Sequence, residues 1–409
     1  MLATPYHQER VFRTLRKSVH VITSGGPLKQ LPAQEEYTFF DEDVYICVHM
    51  YTVADSAKKA EVFVWAGDAA TNTAIEQAQI DAKKLAKENG NAPINTMRQG
   101  LEPPGFLQAL GGILITRRGS RDRAWKQYML RGRKHHGQLV FDEVDFSVDG
   151  LCSGFAYLIS FPVTLQKTKV YLWKGSACSP EEVSGGRLAA MGSIDNVDVI
   201  EVDDGAEFAS FLKIFGPGVT KASIPKPAPL WQQKALAPSK FTTRLYRLQQ
   251  AEARTGLFSS IFTRRPSWGS KSPTRALEDE CKVEAIEISP FAQQDLEPDC
   301  IYILDAYTEL YVLVGPMFPS QAEAVRNILF AQTLLFASQY AVLATSTEDR
   351  PAVPKASVLV GGVPEELKLL FRHWDEGTGL WGTASLMAGK MHRGVELWDL
   401  NEVLEVVCR

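Results

Sequence analysis

Residues 169–176 read KVYLWKGS, and two other stretches have the same form, EVFVWAGD at 61–68 and ELYVLVGP at 309–316. Each is rich in β-branched and aromatic residues and stops at a glycine, which is the pattern of a strand followed by a turn. Apolar residues stand on both faces of each stretch, so we expect central strands that are covered on both sides. A unit that recurs in this way fixes the architecture of the chain.

Each of these strands belongs to a longer repeated unit. A tyrosine-containing strand precedes it each time: DEDVYICVHMY at 41–51, SGFAYLISF at 153–161 and PDCIYILDAY at 298–307. A helical signal closes each unit: FLQALGG at 106–112, FLKIFGPG at 211–218 and LKLLF at 367–371. Three ordered copies therefore predict three domains, each a sheet covered by helices.

A helix start lies between the second strand and the closing signal of each unit. Ser179, Pro180 and Glu182 form a capping box with proline at the first helical position. Ser320 and Glu323 repeat the box, and Thr71 is the matching cap in the first unit. The first helix, about 72–88, is amphipathic, because its apolar residues recur at helical spacing. That core face consists of Ile75, Ala78, Ala82, Leu85 and Ala86.

The spacing of the units predicts the domain limits. We expect a first repeat at 1–120, a second at 121–218 and a third at 241–409. The second and third are separated by a Pro-rich linker of extended character at 219–240. The Ser, Pro and Arg composition of residues 252–278 predicts a flexible insertion in the third repeat. The strand pattern KFTTRLYRLQQ at 240–250 is then the first strand of that repeat.

Composition excludes several classes of protein. The chain is 45% hydrophobic and 22% charged, with a formal net charge of −4, as in a globular protein without a global attraction to nucleic acid. Six cysteines without CxxC spacing predict reduced thiols, and no signal-peptide pattern or transmembrane segment is evident, so we expect a cytoplasmic protein. There is no P-loop, GxSxG or strand-linked GxGxxG motif, so no enzyme is predicted.

The chain strongly resembles the gelsolin/villin/severin superfamily, and most of all fungal gelsolin-repeat proteins. The resemblance rests on the VYLWKG strand, the SPEE helix start, EISPFAQQDLEPDCIYILD at 287–305 and the FLKIFG closing signal. Together these pieces span about 37–400. The resemblance implies an α/β fold of the α+β type, with three gelsolin-like domains that each place a mixed sheet of about five strands between one long and one short helix.

The resemblance also implies a function. It implies actin-filament binding with barbed-end capping, and regulation by phosphatidylinositol 4,5-bisphosphate at a membrane surface and by calcium. Such a protein belongs to the actin cytoskeleton. The alternative is a scaffold that uses gelsolin-like domains structurally and binds no actin.

Calcium is where the sequence departs from the family. Repeats of the family hold the ion with an aspartate just before the Val/Ala-Tyr of the first strand and a glutamate in the first turn of the long helix. Asp43 stands opposite Ala74, Glu182 opposite Phe155, and Glu323 opposite Cys300 with Asp299 beside it. No repeat keeps both carboxylates, and Glu182 and Glu323 are also accounted for as capping-box residues. This departure from the family predicts little or no calcium switching, and Asp299 with Glu323 is the best remaining pair.

Residues 117–136 carry eight basic residues against a single acid. The basic residues are Arg117, Arg118, Arg121, Arg123, Lys126, Arg131, Arg133 and Lys134. Each basic residue near an anionic membrane surface contributes ~1 kcal/mol, so the cluster is sufficient to hold a phosphoinositide headgroup or an acidic protein face. In the family this junction resembles the site that contacts filament sides and phosphoinositide. The alternative is a solvated basic loop. Nucleic acid is a poorer partner and is not predicted, because aromatic residues other than Trp125 and Tyr128 are missing from the segment and no reader motif is present.

The first helix is a second candidate actin contact. In the family, the long helix of the leading repeat enters the cleft between actin subdomains. Ile80 lies off the core face, so it is a candidate exposed anchor, although a single exposed isoleucine is also commonplace. The polar residues around it are Gln77, Lys83, Lys84 and Lys87.

Overall fold

The computed structural model describes residues 12–23, 26–53, 58–164, 167–193, 199–238, 241–250, 283–320, 323–375, 381 and 395–407. Two compact units divide the chain, Met1–Thr242 and Thr243–Arg409. The flexible insertion expected near 252–278 lies outside the described residues.

The first unit begins with a five-stranded sheet in the order β2-β1-β4-β5-β6. Its strands are β1 (Phe12–Ile22), β2 (Lys29–Gln30), β4 (Val44–Val53), β5 (Lys59–Ala66) and β6 (Ile94–Arg98). One face is covered by α1 (Asn72–Glu88) and the other by the short α2 (Pro104–Leu110). The expected arrangement of one long and one short helix is confirmed in this repeat.

Helix α1 packs through small residues. Ala74, Ala78, Ala82 and Ala86 are buried against the sheet, while Ile75 and Leu85 are only partly buried at the edge of the same cluster. The predicted core face is thus confirmed, but the alanines are its most buried residues and Ile75 and Leu85 lie at its edge. Alanines allow the helix backbone to approach the strands closely because they have no side chain beyond Cβ.

The second sheet of the first unit has seven strands in the order β12-β11-β10-β8-β9-β7-β3. They are β3 (Thr38–Phe40), β7 (Ile113–Arg117), β8 (Tyr128–His135), β9 (Gln138–Val144), β10 (Ala156–Pro162), β11 (Thr168–Lys174) and β12 (Val199–Asp203). Helix α3 (Pro180–Ser193) and the short α4 (Ala209–Leu212) follow the same plan as α1 and α2. Strands β3 and β7 precede residue 120, so the second sheet is two strands larger than expected.

Part of the segment expected to be an extended linker is folded. Within 219–240 the short helix α5 (Pro229–Gln232) places Leu230 and Trp231 in buried positions. The Trp231 ring lies 4.7 Å from the Phe155 ring, centroid to centroid. The expectation of an extended chain is therefore wrong for α5, because burying a tryptophan side chain offsets the entropy of ordering the backbone.

The second unit contains a six-stranded sheet in the order β14-β13-β15-β16-β17-β18. Its strands are β13 (Arg244–Gln250), β14 (Val283–Ile288), β15 (Ile301–Asp305), β16 (Glu309–Val314), β17 (Lys355–Val360) and β18 (Glu396–Asp399). Its helices are α6 (Glu323–Thr347), α7 (Glu365–Lys368) and α8 (Leu400–Val407). The predicted opening strand of the third repeat is confirmed as β13.

One stretch of α6 has the length and apolar composition of a membrane span. Arg326–Thr347 meets that description among the described residues. The core helix of a soluble protein can have the same composition, and Leu334, Ala337 and Ala341 of this stretch pack in the core of the third sheet. The expected lack of a transmembrane segment stays a prediction.

The three sheets share one arrangement around the repeated tyrosine. Across neighbouring strands the tyrosine faces the tryptophan of the next strand, or the leucine that replaces it: Tyr45 with Trp65, Tyr157 with Trp173, and Tyr302 with Leu313. Each phenol oxygen accepts a hydrogen bond from the backbone amide five residues earlier: Phe40 at 3.0 Å, Cys152 at 3.1 Å and Glu297 at 2.7 Å. This shared geometry supports reading the three units as copies of one fold.

Two buried glutamates complete the arrangement in the first two sheets. The Trp65 indole N–H donates to Glu102 at 2.7 Å, and that of Trp173 donates to Glu207 at 2.9 Å. A buried indole N–H needs such a partner. The third sheet, which has Leu313 at this position, needs none.

The glycine that ends each second strand is required by close packing. A Cβ on Gly67, Gly175 or Gly315 would overlap the backbone around Asp41, Ser153 or Pro298. For Gly175 the Phe155 carbonyl oxygen would also lie only 2.6 Å from the added carbon. Neighbouring backbone cannot move aside as a flexible side chain can, so any side chain at these positions would force the main chain to shift.

We expect Gly175→Ala to lower the free energy of unfolding by about 1–3 kcal/mol, the usual cost of overpacking. The measurement is the urea midpoint followed by far-UV circular dichroism. Gly105→Ala in α2 is the matched control, because an added Cβ there meets nothing within 4 Å. An equal midpoint for the two variants would contradict this account.

The third sheet is joined to the end of α6 by a buried ion pair. Arg350 and Asp305 are both fully buried, and the guanidinium donates to the two carboxylate oxygens at 2.8 and 2.6 Å. The Tyr340 hydroxyl donates to the same carboxylate at 2.6 Å, and Glu348 accepts from Arg350 at 2.7 Å. A charge in such a position must be paired, because it has no access to water.

Arg350→Met should destabilise the second unit by about 3–5 kcal/mol, because it leaves the Asp305 carboxylate buried without its cation. Arg247→Met is the control in the same unit. The Arg247–Glu297 pair is partly exposed, and a surface pair of this kind contributes about 0–1 kcal/mol. Thermal unfolding of both variants measures the difference, and similar losses would refute the assigned role of the buried pair.

Candidate binding site

Helix α1 presents the predicted polar face to solvent. The Ile80 side chain is 51% exposed, and Lys83, Lys84 and Lys87 are exposed around it. Gln77 and Lys84 both donate to the Asp81 carboxylate, at 2.9 and 2.8 Å. This hydrogen bonding orders two of the polar side chains beside the exposed isoleucine.

The basic segment is mostly neutralised by acids from distant parts of the first unit. The pairs are Arg117–Glu143 at 2.6 Å, Arg118–Asp145 at 2.6 Å, Arg121–Glu35 at 2.7 Å, Arg123–Glu42 at 2.5 Å and Lys134–Glu181 at 3.1 Å. The excess of positive charge along the sequence is therefore much larger than the excess on the surface.

Three of the predicted basic residues contact aromatic rings in the interior of the first unit. The Arg117 guanidinium lies 3.6 Å from the Tyr128 ring centroid, and Arg131 and Arg133 lie 5.4 and 5.3 Å from that of Phe155. All three residues are buried. Their cation–π contacts help to hold the second sheet together, and their burial removes them from a surface site.

The exposed part of the segment, here called the Trp125 surface, consists of Trp125, Lys126 and the two exposed arginines Arg118 and Arg123, which keep their ion pairs with Asp145 and Glu42. Trp125 is 77% exposed, and a shallow depression beside it is bordered by Pro162 and Thr164. A large exposed aromatic ring among basic side chains is a common feature of interaction sites. The sequence prediction selected the basic residues of this segment and did not include Trp125, because the exposure of Trp125 depends on the tertiary fold.

In the first repeat, the residue at the predicted calcium position already has protein partners. Asp43 is buried and accepts from the Ser120 hydroxyl at 2.8 Å and from the Arg121 amide at 2.9 Å. Burial raises the pKa of Asp43 above its usual value. These residues do not fit a calcium site, because both oxygens of the carboxylate already accept from protein donors and Ala74 supplies no second carboxylate.

The second repeat also departs from a calcium site. Glu182 forms the predicted capping box, since its amide donates to the Ser179 hydroxyl at 3.2 Å and its carboxylate accepts from the Ser179 amide at 2.8 Å. The Lys234 ammonium lies 2.7 Å from the same carboxylate. A lysine cation thus lies where the resemblance implies a calcium ion.

In the third repeat, Asp299 lies with Glu297 and Cys300, whose ligand atoms all fall within 4.8 Å of one another. Burial raises the pKa of the Cys300 thiol to about 12, so a protonated thiol stands where a calcium site needs an oxygen. Glu323 is not part of this group. The Ser320 hydroxyl, predicted to form a capping box with Glu323, donates to the Met317 carbonyl at 2.6 Å.

Sequence comparisons find similar proteins along most of this chain. A family described only as a domain of unknown function (DUF7904) matches residues 18–118. Protovillin of Dictyostelium discoideum is 21% identical over 84% of this chain and 32% of its own length. Gelsolin of Drosophila melanogaster is 22% identical over 91% of this chain and 41% of its own length. Gelsolin of Xenopus laevis is 24% identical over 70% of this chain and 61% of its own length. The chain therefore spans between about a third and three fifths of these relatives.

These similarities confirm the resemblance of the chain to the gelsolin/villin superfamily. Among solved structures, a chain of the Thorarchaeota 2DGel3/rabbit actin complex matches 49% of this chain and 99% of its own length, at 19% identity and a TM-score of 0.19.

Proposed function

We propose that the chain is a cytoplasmic actin-filament-binding protein of the cytoskeleton that caps barbed ends, not an enzyme. The observation that carries the proposal is similarity to proteins named gelsolin and protovillin over 84–91% of the chain. The exposed face of α1 supports it, since an apolar side chain surrounded by long polar ones suits a cleft on a protein partner. The proposed contact residues are Gln77, Ile80, Lys83, Lys84 and Lys87.

We propose further that binding is largely independent of calcium. The support is that the carboxylates of Asp43 and Glu182 are already hydrogen-bonded within the protein. A divalent cation would have to displace these donors, and the predicted partner positions, Ala74 and Phe155, supply no second carboxylate.

The test is cosedimentation of the chain with filamentous actin, in chelator and in calcium. We expect equal pelleting in both. Ile80→Asp should weaken binding more than about tenfold, because burying a carboxylate in an apolar contact costs more than 1.4 kcal/mol.

Leu188→Asp is the matched control for Ile80→Asp. Leu188 is 56% exposed on α3, the equivalent helix of the second repeat, and this substitution should leave pelleting unchanged. Absence of pelleting in the unaltered chain would overturn the proposal and favour the scaffold alternative. Pyrene-actin dilution in chelator then separates capping from side binding, because capping slows barbed-end depolymerisation.

We also propose that the Trp125 surface binds phosphatidylinositol 4,5-bisphosphate at a membrane. Arg123 and Lys126 border the depression beside Trp125, and Arg118 is also exposed, so basic side chains can attract the headgroup while tryptophan favours the interface. Because Arg118 and Arg123 pair with Asp145 and Glu42, the headgroup would have to replace these two carboxylates. Arg117, Arg131 and Arg133 are too buried to take part directly.

Combined Arg118→Glu, Arg123→Glu and Lys126→Glu should lower vesicle affinity by at least roughly 100-fold, since each basic residue contributes ~1 kcal/mol. Flotation with vesicles containing the phosphoinositide measures this. Lys213→Glu, Lys221→Glu and Lys226→Glu form the control, because they make the same change in net charge at exposed positions elsewhere in the first unit. An equal loss in both triple variants would indicate attraction by net charge alone.

A further inference from the structure

The carboxylate of Glu182 is fully buried at the start of α3. It accepts hydrogen bonds from the Ser179 amide at 2.8 Å and from the Lys134 amide at 3.2 Å. Amide donors reduce the cost of burying the charge, but a fully buried carboxylate also requires a cation nearby. The cation must come from elsewhere, because the Lys134 ammonium pairs with Glu181 at 3.1 Å.

Lys234 supplies this cation from a distant part of the chain. Its Nζ lies 2.7 Å from the Glu182 carboxylate and donates to the Gly154 carbonyl at 2.5 Å. The same ammonium lies 4.6 Å from the centroid of the Phe155 ring. A carboxylate, a carbonyl oxygen and an aromatic face thus contact the Lys234 ammonium, and all three favour a cation. The Arg131 and Arg133 guanidiniums lie near the same ring, but Lys234 is the cation that pairs with Glu182.

The chain beside Lys234 fits the same place. Trp231 is buried next to Phe155, and a Cβ on Gly154 would lie 2.6 Å from the Trp231 ring. Gly154 therefore offers both a carbonyl for the ammonium and room for the indole. Trp231, in α5, and Lys234, in the 3-10 turn that follows it, are only three residues apart, so the apolar contact and the ion pair each limit the freedom of the other.

We propose that Gly154, Phe155 and Glu182 form an internal cation site whose resident cation is the Lys234 ammonium. The tether gives this ammonium a high effective concentration, so a dissolved ion competes poorly with it. A divalent ion would also meet the Phe155 ring where it needs a second carboxylate. The site holds residues 229–237 on the second sheet in the way that a bound metal would, but without dependence on metal concentration.

This inference goes beyond actin binding and is tested without actin. Hydrogen exchange by mass spectrometry on the full chain reports the opening of the backbone in peptides that cover 229–237. Lys234→Met keeps most of the aliphatic stem and removes the charge, so exchange there should become about tenfold faster or more. Glu182→Gln keeps the shape of the site and should also accelerate exchange. It provides the second test if Lys234→Met fails to fold.

Lys221→Met is the matched control. Lys221 also donates to a backbone carbonyl, that of Gly205 at 2.8 Å, but it is exposed, so its removal should leave exchange at 229–237 unchanged. In the unaltered chain, calcium chloride and chelator should give the same exchange. The proposal is overturned if Lys234→Met and Glu182→Gln exchange like the unaltered chain, if Lys221→Met has the same effect as Lys234→Met, or if calcium changes the protection of the unaltered chain.

Discussion

The structure depends on burying the hydroxyl of one tyrosine in each sheet. Tyr45, Tyr157 and Tyr302 are fully buried, and a phenol in that position must find a hydrogen-bond partner. The chain solves this in the same way three times, by curling back so that the amide five residues earlier reaches the oxygen. Burial raises the pKa of all three phenols, so they remain neutral.

This constraint fixes the residues around the tyrosine. The curl brings the preceding backbone against the end of the next strand, where only glycine fits, and this explains Gly67, Gly175 and Gly315. The indole of Trp65 or Trp173 fills the space across from the tyrosine and requires a buried glutamate in turn. With Leu313, the third sheet keeps the tyrosine and the glycine but loses the polar partner. The hydrogen bond of the phenol is thus the part of the arrangement that all three sheets share.

Features decided by neighbouring residues could be predicted from the sequence. The strands, the cap of Thr71 on the Ala74 amide and the capping box of Ser179 and Glu182 all depend on residues within a few positions. Features decided by distant residues could not. Arg121 meets Glu35 only after folding, so a count of charges along 117–136 overstated the positive surface. Lys234 likewise meets Glu182 only after folding. The same limit hid the burial of Trp231 within a stretch whose prolines suggested an extended linker.

Strands β3 and β7 lead to a different consequence. They come from the part of the chain that builds the first sheet, yet they pair within the second, β7 beside β9 and β3 beside β7. The first two repeats share strands in this way, so neither can be removed without harming the other. Deleting one would leave unpaired backbone groups at the sheet edge of the remaining one. Gain or loss of a repeat during evolution is therefore far easier at the boundary of the third sheet than between the first two sheets. The first two must be inherited and folded as a pair.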